Sequence, residues 1–182
     1  MNIVVLLAGG KSSRTSTMKQ LYKIDSEYLI NRQIQTIQSY GYEVVVILGH
    51  NYDAIQSILN SDVTVIRNKN YQEGMFSSVK TAFNYLKADS LIFCHIDRPM
   101  VSKEIFEKLI NSTSEITTTF YENKKAPPIM IKYSMKDELL ESTHQRLDYW
   151  IESTKKASYI KVNDEKVHFN ANTDEKLGLY FG

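Results

Sequence analysis

The sequence predicts an α/β fold, a mostly parallel central sheet with helices on both faces, three layers in all. Two observations carry this. Short, uninterrupted apolar runs recur at residues 3–8, 44–48 and 91–96, as strands buried on both faces do. Between them apolar residues return at helical spacing, as Ile30, Ile34 and Ile37 and again as Val79, Ala82, Phe83 and Leu86. Strand and helix alternating with short connections is the layout of a parallel sheet with right-handed crossovers.

Each element has its own signals. Residues 3–8 form the first strand and empty into Gly9-Gly10-Lys11-Ser12-Ser13-Arg14. Residues 27–40 are expected as a helix, with Gly41 as its stop. The strand at 44–48 ends at Gly49, and Asn51 is placed to cap a short helix carrying Ile55, Ile58 and Leu59. Residues 63–66 read as a third strand. A polar connection runs to Gly74, where a helix opens. The strand at 91–96 leads into Asp97-Arg98-Pro99, and Ser102 can cap a helix that buries Ile105, Phe106, Leu109 and Ile110. Residues 116–121, 129–132 and 158–162 are expected as later strands. A helix with Leu147, Trp150, Ile151 and Thr154 lies between the last two, and Trp150 is expected in the core. No repeat, low-complexity tract or Pro/Gly-rich linker interrupts the chain, so residues 1–182 are read as one domain.

At 182 residues and 42% hydrophobic, the chain is long enough to bury a sizeable core. Its 22 basic residues against 21 acidic ones leave a net charge of +1. It therefore lacks the global basic field that a nucleic-acid partner calls for. The single cysteine, Cys94, excludes an internal disulfide and fits a reducing compartment. No apolar stretch approaches the roughly 18 residues of a membrane span, and the N-terminus reads as a core strand rather than a leader. A soluble, cytoplasmic protein is expected. The sequence is silent on oligomeric state.

Function concentrates at four places. After the first strand, two glycines free backbone N–H groups to face an anion, while Lys11, Arg14 and Lys19 supply positive charge. This points to a nucleoside triphosphate, although a tight, solvated basic turn would look alike. The loop has neither the G-x-x-x-x-G-K-[ST] nor the G-x-G-x-x-G spacing. At Gly74-Met75-Phe76-Ser77-Ser78 a helix N-terminus offers free N–H groups, with helix capping as the plain alternative for the two serines. Asp97 stands at a strand's C-terminal end before Pro99, where an acid can reach the ligand crevice and hold a hard cation; capping the loop or pairing with Arg98 are the alternatives. His95 is expected to pack in its strand. Near the C-terminus lies Asn170-Ala171-Asn172-Thr173-Asp174-Glu175, which reads on composition as a terminal turn.

Taken together, Leu7-Ala8-Gly9-Gly10-x-Ser12-x-Arg14 followed by Lys19 resembles the signature loop of the MobA-like nucleotidyltransferases, which transfer a nucleotide onto molybdopterin or a related phosphorylated acceptor. The stretch Asn-x-x-Tyr71-x-x-Gly74-Met75-x-Ser77-Ser78-Val79 is similar to that family's second motif, Asp97-Arg98-Pro99 to its Asp-x-Pro element, and Asn170-Ala171-Asn172-Thr173 to its late motif. The resemblance implies a three-layer, Rossmann-like nucleotide-diphospho-sugar transferase fold. It assigns nucleotide binding to Leu7, Ala8, Gly9, Gly10, Arg14, Lys19, Asn70, Gly74, Ser77 and Ser78. Arg14, Lys19 and Asp97 become the catalytic residues, and Asp97 with Asn172 the magnesium ligands. The chain departs from the pattern at Thr15-Ser16, where Met-Gly is usual, at Asp174 in place of Pro, and at Ala126-Pro127-Pro128 in place of Gly-His-Pro. Asp174 could add the charge that Asn172 lacks.

The expected function is a magnesium-dependent transfer of a nucleotide from a nucleoside triphosphate to a phosphorylated small molecule such as molybdopterin, with release of pyrophosphate. The Gly-Met-x-Ser-Ser element leans to CTP and the Asn-x-Asn-Thr element to GTP, with CTP favoured. A sugar-1-phosphate acceptor and a non-catalytic nucleotide-binding module are the rival readings. Neither nucleic acid nor membrane is expected as a partner.

Overall fold

The computed structural model describes residues 1–60 and 62–181. Among the described residues nine strands form in chain order: β1 Asn2–Leu7, β2 Lys23–Ile24, β3 Glu27–Tyr28, β4 Glu43–Leu48, β5 Thr64–Arg67, β6 Ser90–His95, β7 Ile116–Tyr121, β8 Lys124–Lys132 and β9 Ala157–Lys161. Seven α-helices accompany them among the same residues: α1 Leu29–Ser39, α2 Tyr52–Gln56, α3 Met75–Tyr85, α4 Lys103–Ile110, α5 Lys136–Glu141, α6 Leu147–Thr154 and α7 Asp174–Phe181. The central sheet has seven strands in the order β5-β4-β1-β6-β8-β7-β9. Only β8 runs against the others, pairing antiparallel with both β6 and β7.

Alternation along β1 builds the three layers. Ile3, Val5 and Leu7 pack with Phe76, Val79, Phe83 and Trp150 from α3 and α6. Val4 and Leu6 pack with Ile30, Ile34, Ile37, Phe106 and Leu109 from α1 and α4 on the other face. A strand buried on both sides has no polar face, which is why its sequence is an unbroken apolar run. Trp150 is 2% exposed and belongs to this core, as expected. Among the described residues no helix is long and apolar enough to cross a membrane.

β1 pairs with β4 on one side and β6 on the other, both parallel. Chain order therefore reverses at β1, and the crevice beyond its C-terminal end is where an open α/β sheet receives a ligand.

Several boundaries differ from expectation. The first helix starts at Leu29 rather than residue 27, because Glu27–Tyr28 pairs antiparallel with Lys23–Ile24. Asp25 and Ser26, both at positive φ, turn that hairpin. Asn51 does not cap α2 through its side chain; it sits at φ 52° and its amide turns to Met18 Sδ. Ser102 precedes α4 in an extended conformation without a side-chain cap. β8 begins at Lys124, five residues before the expected 129, because Pro127 and Pro128 are accommodated in a register shift between Thr118 and Thr119 of β7. Proline has no N–H for a ladder, so the pairing skips it.

Candidate active site

The loop after β1 is held from beneath by a buried amide. Gln20, fully buried, donates from Nε2 to Ala8 O at 2.6 Å and to Gly10 O at 3.3 Å. Ser12, at φ 52°, accepts from the Lys19 backbone N–H at 3.1 Å and faces Gln20 Oε1 at 3.4 Å. Gly9 lies against Gly49: His50 N donates to Gly9 O at 3.1 Å, and a Cβ on Gly9 would come within 3.2 Å of Gly49 N. Around Gly10 nothing lies within 4 Å of where a Cβ would stand, so its backbone faces open space. These constraints shape a turn of fixed geometry whose glycine backbone borders a cleft of about 330 Å³.

Lys19 is the centre of that cleft. It is only 8% exposed, and its ammonium donates to Asp97 Oδ2 at 2.8 Å and to Asn172 Oδ1 at 2.6 Å. Three residues separated by 78 and 153 positions along the chain thus meet at one point. Asp97 comes from the end of β6. Asn172 is brought in because Ala171 N donates to Asp97 O at 2.8 Å, which ties the last segment to that strand end. A carboxylate and an amide carbonyl are hard oxygen donors suited to magnesium, and here they already converge on one cation, the ammonium. Among the described residues no group of three His, Cys, Asp or Glu forms a metal cluster. An ion held here would therefore take its remaining ligands from substrate phosphates and water.

The other expected site residues divide. Leu7, Gly9, Gly10, Lys19, Gly74, Ser78 and Asp97 line the cleft. Gly74, at φ +95°, turns the chain into the N-terminus of α3. Buried Asn68 donates from Nδ2 to Ser77 Oγ at 2.8 Å and Ser78 Oγ at 2.9 Å, fixing the start of α3. Ser77 Oγ lies 2.7 Å from Gly74 O and faces a separate depression with Lys80 and His144. Ala8 is buried beneath the loop. Asn70 is exposed and enters through its backbone, its N–H donating to Asn68 Oδ1. Arg14 is exposed at the rim and outside the cleft lining. Asp174 does not add charge beside Asn172, since both of its oxygens accept from Ser16 N, at 3.1 and 3.0 Å. That contact anchors the altered Thr15-Ser16 stretch.

Ser12, Gln20, Tyr71, Met75, His95 and Ile96 also line the cleft; Ser12 and Met75 stand within the motifs quoted above, but none of the six was expected as a site residue. Tyr71 stands against Gly49, where a Cβ would overlap the tyrosine and approach Gly9 O at 2.8 Å. His95 is in the strand as expected, yet it borders two clefts at once. Burial pushes its pKa down to about 4, with Asp97 opposing and Arg98 and Lys19 adding to the shift. The ring is therefore neutral near pH 7. A second cleft of about 660 Å³ opens on its other side, sharing Gly74, Met75 and His95 with the first.

Comparison with known proteins identifies the family and the fold. The family model described as "MobA-like NTP transferase domain" matches residues 4–158. The bifunctional protein GlmU of Francisella tularensis is 28% identical over 127 residues; these make up 66% of this chain, which spans only 28% of the GlmU length. A Clostridium perfringens protein named "Probable molybdenum cofactor guanylyltransferase" is 27% identical over 171 residues, covering 90% of this chain and 84% of that one. A nucleotidyl transferase from Methanothermobacter superposes with a TM-score of 0.84 at 16% identity, over 99% of this chain and 96% of its own; at that identity the likeness speaks for the fold. The match over most of the chain leads to one conclusion: this chain belongs to the MobA-like NTP transferase family.

Proposed function

We propose that this chain catalyses magnesium-dependent transfer of a nucleoside monophosphate from a nucleoside triphosphate to a phosphorylated small molecule of the molybdopterin kind. The observation that carries the reading is the meeting of Lys19, Asp97 and Asn172 beside the Gly9-Gly10 turn. In the reaction a phosphate oxygen of the acceptor attacks the α-phosphorus. The bond from that phosphorus to the bridging oxygen breaks, and pyrophosphate leaves. No protein nucleophile is required, so alignment and charge neutralisation supply the rate. Gly9 and Gly10 offer backbone N–H groups to the triphosphate, and the Lys19 ammonium neutralises charge on the leaving diphosphate. Arg14, at the rim, would reach the triphosphate from outside. Ser78 and Gly74, at the N-terminus of α3, border the nucleoside side of the cleft. Bound at Asp97 and Asn172, magnesium would supply the charge that draws triphosphate oxygens together.

For the base we favour CTP, on the Gly74-Met75-x-Ser77-Ser78 element. GTP is the second reading, supported by the neutral Asn172 and by the name of the Clostridium relative. Thermal shifts with CTP, GTP, ATP and UTP plus magnesium separate the two, and pyrophosphate release with a panel of phosphorylated acceptors tests transfer. A sugar-1-phosphate that supports release would move the acceptor class. Tight binding of a triphosphate with no release for any acceptor would make the chain a binding module. A cytoplasmic location accords with the reaction's soluble substrates.

A further inference from the structure

The segment that brings Asn172 to Lys19 makes a further contact, and the inference drawn from it rests on the nucleotidyl-transfer reading above. Within residues 171–174, Ala171 N–H donates to Asp97 O, Asn172 Oδ1 accepts from the Lys19 ammonium, and both carboxylate oxygens of Asp174 accept from Ser16 N–H. One short stretch thus clips together the end of β6, the cleft lysine and the far half of the glycine loop.

That far half has no other hold. Ser13-Arg14-Thr15-Ser16-Thr17 contains no apolar side chain to anchor it in a core, and all but Thr15 are exposed. Thr15 bonds only within the loop, its N–H and its hydroxyl both donating to Ser12 O, at 3.1 and 2.9 Å. Among the described residues, Ser16 N–H to Asp174 is the one hydrogen bond that ties residues 13–17 to anything outside the loop. Arg14 is therefore bracketed by two anchors, Ser12, which Lys19 N–H pins at 3.1 Å, and Ser16, which Asp174 pins. The carboxylate is free for this task because the first turn of α7 is served by Thr173: Lys176 N–H donates to its Oγ1 at 3.3 Å and Leu177 N–H to its O at 2.9 Å. Buried Leu177, and Tyr180 stacked on Phe169 at 4.3 Å, seat α7 beneath the contact.

We infer that Asp174 is a positioning residue for the triphosphate, acting through Arg14. Neither Ser16 nor Asp174 lines the nucleotide cleft, so the carboxylate does not compete with phosphate oxygens; it braces the loop from outside. With Ser16 fixed, the guanidinium meets the phosphates without a free loop being ordered at the moment of binding, a cost that would otherwise be subtracted from affinity. Both ends of the brace are this chain's own, since Thr15-Ser16 and Asp174 are places where it departs from the family pattern.

The test combines hydrogen exchange on the nucleotide-free full chain with calorimetry, in magnesium, of whichever of CTP and GTP binds the unaltered chain. In Asp174→Ala the Ser16 amide should exchange at least about tenfold faster, and triphosphate affinity should fall about tenfold. In an Arg14→Ala background the same substitution should change affinity less than about twofold, because its effect runs through Arg14. Asp174→Asn keeps an oxygen for Ser16 N–H and should recover part of both losses. Glu175→Ala removes the neighbouring acid of the same helix turn and should alter neither. Unchanged Ser16 exchange in Asp174→Ala would overturn the brace. Equal losses of affinity with and without Arg14 would overturn action through that residue, and tighter binding in Asp174→Ala would make the carboxylate a competitor. A like effect of Glu175→Ala would reduce Asp174 to a helix-start charge. Absence of triphosphate binding by the unaltered chain would overturn the nucleotidyl-transfer reading and the role of Arg14 with it, whereas Ser16 exchange, read without nucleotide, still decides the brace.

Discussion

Replacing Lys19 by methionine should move two measurements in opposite directions. Lys19 is 8% exposed, and its ammonium lies 2.8 Å from Asp97 Oδ2 and 2.6 Å from Asn172 Oδ1, so it acts as a largely buried, fixed donor. Removing one such preorganised donor costs about 10²–10³ in turnover, ~2.7–4 kcal/mol. The same ammonium occupies the space between the two oxygens that would hold magnesium. Two unit charges 4 Å apart interact by about 4 kcal/mol at an effective dielectric of 20. Losing a third of that competition would tighten divalent-ion binding to the nucleotide-free protein by about tenfold, ~1.4 kcal/mol. Single-turnover pyrophosphate release reads the first effect, and manganese titration by electron paramagnetic resonance reads the second. A lysine that merely supports the fold would lower both, or lower only the melting temperature. Lys19→Met with near-normal turnover would refute the catalytic role, and unchanged manganese affinity would refute the shared site.

Other substitutions separate the machinery from its scaffold. Asp97→Ala should abolish transfer while the fold survives, because the strand-end contact to Ala171 uses the Asp97 backbone carbonyl; circular dichroism and pyrophosphate release check both halves. Gly49→Ala should destabilise by about 1–3 kcal/mol, since its Cβ overlaps Tyr71 and crowds Gly9 O, a shift visible in urea unfolding. Gln20→Ala strips two loop carbonyls of their donor at a cost of about 1–3 kcal/mol, and should raise KM for the triphosphate more than it lowers kcat. His95 gives a pH signature. Its folded pKa, pushed down to about 4, lies below the unfolded value near 6.5. The unfolded chain therefore takes up a proton first as pH falls. Stability associated with neutral His95 is intact above about pH 6.5 and drains away towards pH 4, and His95→Gln should flatten that part of a urea-midpoint profile.

The layers were legible because β1, β4 and β6 are buried on both faces, and double burial leaves an apolar run that needs no context; that chain order reverses at β1 came only from the observed pairing. Lys19, Asp97 and Asn172 were legible as residues through the resemblance, but their meeting was not. Nothing in local spacing shows that Ala171 N binds Asp97 O and draws the C-terminal segment across. Asp174 was misread for the same reason: its partner, Ser16 N, is 158 positions away. Gln20 left no signal, since a glutamine in a polar stretch looks solvated until its loop folds over it. His95 sits in plain view beside Asp97, yet its importance lies in which clefts it borders, a property of the packed sheet rather than of the chain. Prolines hid the first half of β8, since a strand that bulges around them has no apolar run to display.

The most direct test is a crystal structure with manganese and a non-hydrolysable CTP analogue. The account predicts an anomalous peak for manganese bonded to Asp97 and Asn172, the triphosphate on the Gly9-Gly10 turn, and the Lys19 ammonium against its phosphate oxygens. Manganese bound elsewhere, or a nucleotide lying away from that turn, would contradict it.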